Sequence, residues 1–463
     1  MTRFWLGLLA IVVTGCIVHQ TDETPGTLVQ VNPVQPGSDC EYGGVAIESG
    51  SDTNANGVLD PSEVTSTQYV CNGSTSVDCG SASTLSGEIS IESAADLGQI
   101  GSATCIDGDL VIANTDLTSM PELGGLDTIT GSVYVVGNSA LPSLSDLDGL
   151  RRVGALYVVQ ANPALTSVGA LSGLQHVQSI QIIDNATLPD LSGLESITNL
   201  DAGLNITGNA GLTSLAGLDN LVTSSAGIDV ESNNNLTSTD ALAHLVTVVA
   251  LDITGNAKLP SIALPALTNV RGTITIEQNA ALTDVSLPAL TAASNGITVE
   301  QDAALPTLEF PELLLTGALD VTSDTALTSI TAPNLAIIAT EVELIALPAI
   351  QTTSFPALGT IGGNVSVGAP LSSFDGFSTL TSIGGQLIVE GVTAADFTGL
   401  GSLQTVAGNV TIEQNQNLAA FSGLTAFTGV GGNLTVTSNP ALMPSIAQAF
   451  AAGITVGGTV TIE

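Results

Sequence analysis

Near the start of the chain the run DTNANGVLDPSE spaces its oxygen donors regularly. Asp52, Asn54 and Asn56 stand at positions 1, 3 and 5, Gly57 at 6, Asp60 at 9 and Glu63 at 12, while Val58 would offer its backbone carbonyl at 7. A hard cation such as Ca2+ takes roughly six to eight oxygens, and a glycine permits the sharp turn between them. The spacing predicts a structural Ca2+ site built from Asp52, Asn54, Asn56, Val58, Asp60 and Glu63. The competing reading is a polar turn closed by its own Asx hydrogen bonds.

Other chemistry is sparse. His19, His176 and His244 lie far apart, and no HExxH, GxSxG, P-loop or dinucleotide fingerprint occurs. Asp and Glu are dispersed. A polysaccharide-cleaving β-solenoid would need Arg or Lys to stabilise developing charge, and the chain has only five in 463 residues. No catalytic residues are assigned, and the expectation is a protein that is not an enzyme. The same shortage of cations leaves a net charge of −38, which disfavours nucleic acid as a partner and attracts cations instead.

Five cysteines occur, and none beyond Cys105. Cys16 ends an N-terminal apolar stretch. The other four allow three pairings. Cys40 with Cys71 would close a small module over residues 40–73, and Cys79 with Cys105 would staple the entrance to the repeats. The leader MTRFWLGLLAIVVTGC resembles a bacterial lipoprotein signal with its lipobox. That resemblance implies removal of residues 1–15, acylation of Cys16 and a membrane anchor through lipid. It also implies a cell-envelope location, favouring the outer membrane because Ile17 stands where a retention signal would have Asp. Residues 16–39, with Pro25, Pro33 and Pro36, read as a flexible tether. The loop at 52–63 resembles an EF-hand-type calcium loop, without the paired helices of a calcium sensor. CEYGGVAIESG before it alternates like a strand.

From residue 106 to 463 the chain repeats itself. An apolar-x-apolar triplet, an Asn and a Leu recur at intervals of 22 to 24 residues. The Asn positions are Asn138, Asn162, Asn185, Asn209, Asn233, Asn256, Asn279, Asn415 and Asn439, with Asp302 and Asp324 in two copies and irregular copies near Leu347, Pro370 and Val392. Two apolar residues separated by one polar residue put both apolar chains on one face of a short strand. Strands at a fixed interval stack into a parallel sheet, burying a face that no isolated copy could bury. The second half of each copy, such as LTSLAGLDNL, carries Leu every third residue and suits a tight extended or 3-10 return path. The expectation is about 14 to 16 coils. Residues 74–105 would cap the N-terminal end, and a short helix followed by a last strand would close the C-terminal end. The recurring Asn reads as a buried amide satisfying backbone groups where the chain turns inward. An Asp there can accept but cannot donate unless protonated. Glu277-Gln278, Glu300-Gln301 and Glu413-Gln414 would line up as a polar stripe.

The pattern L.I..N..L..L..L..V.G.L.I, with LPALTNVRGTITIEQN as its clearest instance, resembles the receptor L-domain, a leucine-rich-like solenoid, over residues 105–463. The resemblance implies a right-handed β-solenoid of about 23 residues per coil with a parallel β-sheet. It implies no shared ligand and no catalytic residues. The function expected is a lipid-anchored recognition or adhesion protein using the solenoid as a binding surface for an extracellular protein or glycan. The alternatives are a structural envelope spacer and, less favoured, a polysaccharide-acting enzyme.

Overall fold

A computed structural model of the chain describes residues 27–34, 44–51, 53, 60–71 and 77–463. The chain divides into two compact units, Met1–Val77 and Asp78–Glu463.

The first unit contains a three-stranded antiparallel sheet of Thr27–Val34, Gly44–Ser51 and Val64–Cys71, with Gly44–Ser51 in the middle. The strand-like alternation around residue 45 is therefore real. The stretch read as a flexible tether requires correction, because Thr27–Val34 within it is a strand. Its prolines hid it. Pro33 lacks an N–H, but it lies on an edge strand, where one side of the backbone needs no ladder partner.

In the second unit the apolar triplets become strands as expected. Seventeen of them, from Ile89–Ile91 to Val460–Ile462, pair in parallel in one main ladder. The count exceeds the 14 to 16 coils anticipated. Ile89–Ile91 already forms a rung inside the segment read as a cap, and the last strand expected after the C-terminal helix is the final rung, Val460–Ile462. No pairing joins the first rung to the last, so the ladder is an open stack and not a barrel.

Two further ladders complete the coil. A second parallel ladder uses short strands just before each main strand, such as Thr128–Ile129, Asn269–Val270 and Ile337–Ile338. In two coils it fuses with the main one, giving the long strands Thr223–Glu231 and Thr247–Thr254. The return segments are 3-10 turns in the early coils, for example Pro121–Gly125 and Gly169–Gly173. In five later coils, from Ser261–Ala263 to Thr352–Ser354, they straighten into a third parallel ladder.

The triplet and return-path aliphatics point inward and form one apolar interior from Ile89 to Ala447. Leu212, Leu215, Leu218 and Leu221 of the quoted repeat are all 0% exposed, which shows that the three-residue Leu spacing is an interior stripe. Toward the C-terminal end the interior turns aromatic. Phe374, Phe397 and Phe421 stack at 5.4 and 5.7 Å, and Phe450 closes the column 4.1 Å from Phe421. Phe450 belongs to the helix Pro444–Ala452, the only α-helix among the described residues, so the expected short C-terminal helix is present. At the other end Cys79 and Cys105 form the expected disulfide, with Cα atoms 5.6 Å apart.

Candidate functional site

The repeated asparagines are assembled first by the strand ends. Each follows a residue in the left-handed region, such as Ala161 (φ 53°), Ser232 (φ 56°) or Gln278 (φ 58°), which turns the chain inward at the end of the main strand. Asn138, Asn162, Asn185, Asn209, Asn233, Asn256, Asn279 and Asn415 are all 0% exposed, and Asn439 is 7% exposed. They form an amide ladder along the coils. The side chain of Asn209 accepts the backbone N–H of Asn185 on Oδ1 at 3.0 Å and donates Nδ2–H to the Ile182 carbonyl at 2.8 Å. Asn233 repeats both bonds one coil later, on the N–H of Asn209 and the carbonyl of Ile206. The first rung is Asn138, whose Oδ1 takes the N–H and hydroxyl of Thr115. The ladder is therefore structural, satisfying turn groups that the interior would otherwise strand.

At Asp302 and Asp324 the ladder changes character. Oδ1 still accepts the N–H of the preceding rung, at 2.7 Å in both cases. Oδ2 of each is buried without a partner. Burial is the first cause that lifts both carboxyls to about 7. Beyond them Leu347 and Pro370 occupy the Asn position and carry no amide. The order resumes where the N–H of Val392 meets Oδ1 of Asn415 at 3.0 Å. At this interruption Ser323, Thr325, Leu347, Pro348, Gly368 and Pro370 line an open, mostly apolar notch of about 590 Å³. The irregular copies thus mark a place where the coil surface departs from its repeat.

The outward face of the main sheet carries the charge. Parallel register sets Asp229 beside Asp252, Glu277 beside Glu300, Asp320 beside Glu343 and Glu390 beside Glu413. Neighbouring strands in a sheet lie about 4.8 Å apart, so these are like-charge neighbours. Partial burial, then the charge of Asp252, raises the Asp229 carboxyl. Burial, then Glu300 and Asp252, raises Glu277. Asp320 is pushed up to about 6 by burial and by Glu341 and Glu343. No cation contributes to any of these shifts. Lys258 donates to Asn235, and Arg151 and Arg152 donate to backbone carbonyls. The Glu-Gln repeat revealed the Glu277–Glu300 part of this face. The larger part, Asp229–Asp252 and Asp320–Glu343, sits in the middle of the triplets IDV, LDI, LDV and VEL. Reading triplet centres in register would have found it. The second ladder adds a small apolar patch, with Leu314 and Ile337 each 50% exposed and Leu315, paired with Ile337, 44% exposed.

Of the residues assigned to Ca2+, Asp52, Asn54, Asn56 and Val58 lie outside the described residues, as do Cys16 and Cys40; of Cys71 only the backbone, at the end of a strand, is described. Glu63 is 5% exposed. Its Oε1 accepts the N–H and hydroxyl of Thr53, and its Oε2 accepts the N–H of Asp60 at 3.0 Å. The last loop position thus ties down both ends of the turn. Among the described residues no three His, Cys, Asp or Glu converge to hold a metal ion. His176 pairs with Arg152 in the second ladder, and His244 lies on a return segment, where its Nδ1 meets the Asp219 carbonyl. No described helix is long and apolar enough to cross a membrane.

Residues 27–71 match the family model of a domain of unknown function (DUF7151). No curated protein matches the chain. Among solved structures the chain is similar to a leucine-rich repeat protein from Bacteroides ovatus, at 13% identity and a TM-score of 0.25, over 76% of this chain and 87% of that one. At that TM-score the solenoid assignment rests on the strand register, not on the likeness.

Proposed function

We propose that the solenoid is a non-catalytic recognition surface and that the acidic main-sheet face receives a partner rich in Lys and Arg. One observation carries this reading: carboxylates stacked in register, raised by burial and by one another, with no cation among the groups that act on them. Such an arrangement costs stability in the free protein. A partner that brings cations converts the repulsion into attraction and gains both affinity and association rate. The exposed trio Leu314, Leu315 and Ile337 offers apolar contact on the same coils as Asp320 and Glu343. The proposal extends to a right-handed, leucine-rich-like winding, since parallel crossovers overwhelmingly take that hand. It also includes anchoring through an acylated Cys16 in a bacterial envelope and a structural Ca2+ in the 52–63 loop.

The experiment is an array of immobilised proteins, peptides and glycans probed with the chain. A second probe carries Asp229→Asn, Asp252→Asn, Glu277→Gln and Glu300→Gln. The reading expects basic polypeptides to be retained and the signal to fall with the variant. Retention of neutral glycans with no response to the substitutions would overturn it. A structural spacer is the second reading, favoured by the unbroken interior from Ile89 to Ala447. It expects silence across the array and an envelope defect on deletion.

A further inference from the structure

Two positions in the amide ladder hold the wrong atom for the place they occupy. In the asparagine rungs the side chain does two jobs. Its Oδ1 accepts an N–H from the coil before, and its Nδ2–H donates to the strand carbonyl three residues ahead of the preceding rung. Asn256 reaches the Val230 carbonyl and Asn279 the Ile253 carbonyl in this way, at 2.8 and 2.9 Å. Asp302 and Asp324 keep the first job. The equivalent acceptors for the second are the carbonyls of Ile276 and Val299. An ionised Oδ2 there would set negative charge against a carbonyl oxygen, inside an interior where both side chains are 0% exposed.

We propose that Asp302 and Asp324 are un-ionised carboxylic acids in the folded protein below neutral pH. Each donates its Oδ2–H where an asparagine would donate Nδ2–H, so the two rungs form a proton-dependent joint beside the notch. An acid is isosteric with the amide and restores the missing donor, whereas an anion does not. A metal ion is the poorer alternative, because the place is one that an amide nitrogen fills in neighbouring coils and no three-ligand group converges among the described residues. The surroundings favour the neutral form. The charged groups acting on the pair are Glu277 on Asp302, and Asp302 and Glu300 on Asp324, all carboxylates. The next coil offers Ala346, Leu347 and Pro348, none of which titrates. Desolvation is the largest cause and, with this repulsion, raises both groups to about 7 against the lowering effect of the hydrogen bonds they accept from Asn279 and Asp302.

The sign follows from linkage. A carboxyl raised in the folded state binds a proton that the unfolded chain releases near pH 4. Its stabilising contribution is full in acid and is lost as the pH climbs from about 4 to about 7. The two rungs are also the last before the break at Leu347 and Pro370. Loss of their protons loosens the coils that form the wall of the notch around Ser323 and Thr325, a pH-set change where the repeat surface opens.

The test uses the full chain with aspartate labelled with 13C at the carboxyl. Two carboxyl resonances should titrate near neutrality, above that of Asp320 at about 6 and well above the unperturbed aspartates, and both should vanish in the double variant Asp302→Asn, Asp324→Asn. The urea midpoint of the wild type should fall more steeply between pH 5 and pH 8 than that of the double variant. At pH 8 the variant should be the more stable. After correction for intrinsic exchange, the backbone amides of Asn279 and Asp302 should exchange at least tenfold faster at pH 8 than at pH 5.5 in the wild type alone. The absence of any wild-type aspartate resonance titrating near pH 7 would overturn the proposal, a result that does not depend on whether the variant folds. Equal pH slopes for the two proteins would overturn it as well.

Discussion

Asn209→Ala removes one rung from the middle of the amide ladder; of the hydrogen bonds that disappear with the side chain, the cost follows from the two that serve the Asn185 N–H and the Ile182 carbonyl. The Asn185 N–H is left without its 3.0 Å acceptor and the Ile182 carbonyl without its 2.8 Å donor. The Asn209 N–H keeps Oδ1 of Asn233, because that bond starts from the backbone. Two buried groups are therefore stranded, at about 1–3 kcal/mol each. Long repeat arrays need not unfold in one step, so a single global free energy is a poor readout. Residue-resolved hydrogen exchange is the better assay. A local loss of about 3 kcal/mol corresponds to roughly a hundredfold faster exchange at Asn185 and along Ser179–Ile183, since about 1.4 kcal/mol is tenfold. Asn417→Ala serves as the comparison. That side chain reaches the Thr393 carbonyl from an exposed position, and its removal should cost no more than about 0.5 kcal/mol. Unchanged exchange at Asn185 in Asn209→Ala would refute the view that the buried amides hold the coils together.

Reducing Cys79–Cys105, which are 26 residues apart, should cost about 3 kcal/mol on a chain-entropy estimate. Exchange should accelerate in Thr84–Ser86 and Cys105–Asp107 while the coil of Asn209 stays unchanged. Gly217→Ala should destabilise by about 2 kcal/mol or more in urea titration, because φ is 111° and a Cβ would lie 2.0 Å from the Leu191 carbonyl oxygen. Phe450→Ala removes the ring that closes the aromatic column and should cost about 3 kcal/mol, read as faster exchange in Leu434–Thr437 and Val460–Ile462. Binding of a basic peptide should weaken as the pH falls through about 6, since Asp320 and its raised neighbours must be ionised to attract it. A pH-independent affinity between about 5 and 8 would count against that face.

The amino-acid pattern reveals more about the interior than about the surface. Triplets such as LNI and the Leu at every third position announce the main strands and the inward return path, because period-two and period-three burial leave an unmistakable apolar imprint. The second and third ladders leave almost none. Pairs such as Asn269–Val270 are too short for periodicity to register, and SIA, DVS and TLE look like the 3-10 segments of earlier coils. Thr27–Val34 is hidden by prolines that an edge strand accepts. Asp302 and Asp324 are visible in the repeat as departures, and their meaning as donors follows from the chemistry of the amide they replace. The acidic face is legible only in part. Charge at triplet centres becomes a surface feature once the register between coils is known, and register is a property of the stack rather than of any one copy.

The central functional claim is local: the carboxylates at Asp229, Asp252, Glu277 and Glu300 form a face, and the overall net charge is not what matters. Titration calorimetry with an oligolysine peptide at physiological salt tests it most directly, comparing two variants that remove the same charge. One carries Asp229→Asn, Asp252→Asn, Glu277→Gln and Glu300→Gln; the other carries Asp116→Asn, Glu122→Gln, Asp148→Asn and Glu309→Gln, all at exposed positions elsewhere. The account predicts affinity at least tenfold weaker in the first and within about twofold of wild type in the second. Equal losses in both would contradict it and reduce the binding to bulk charge.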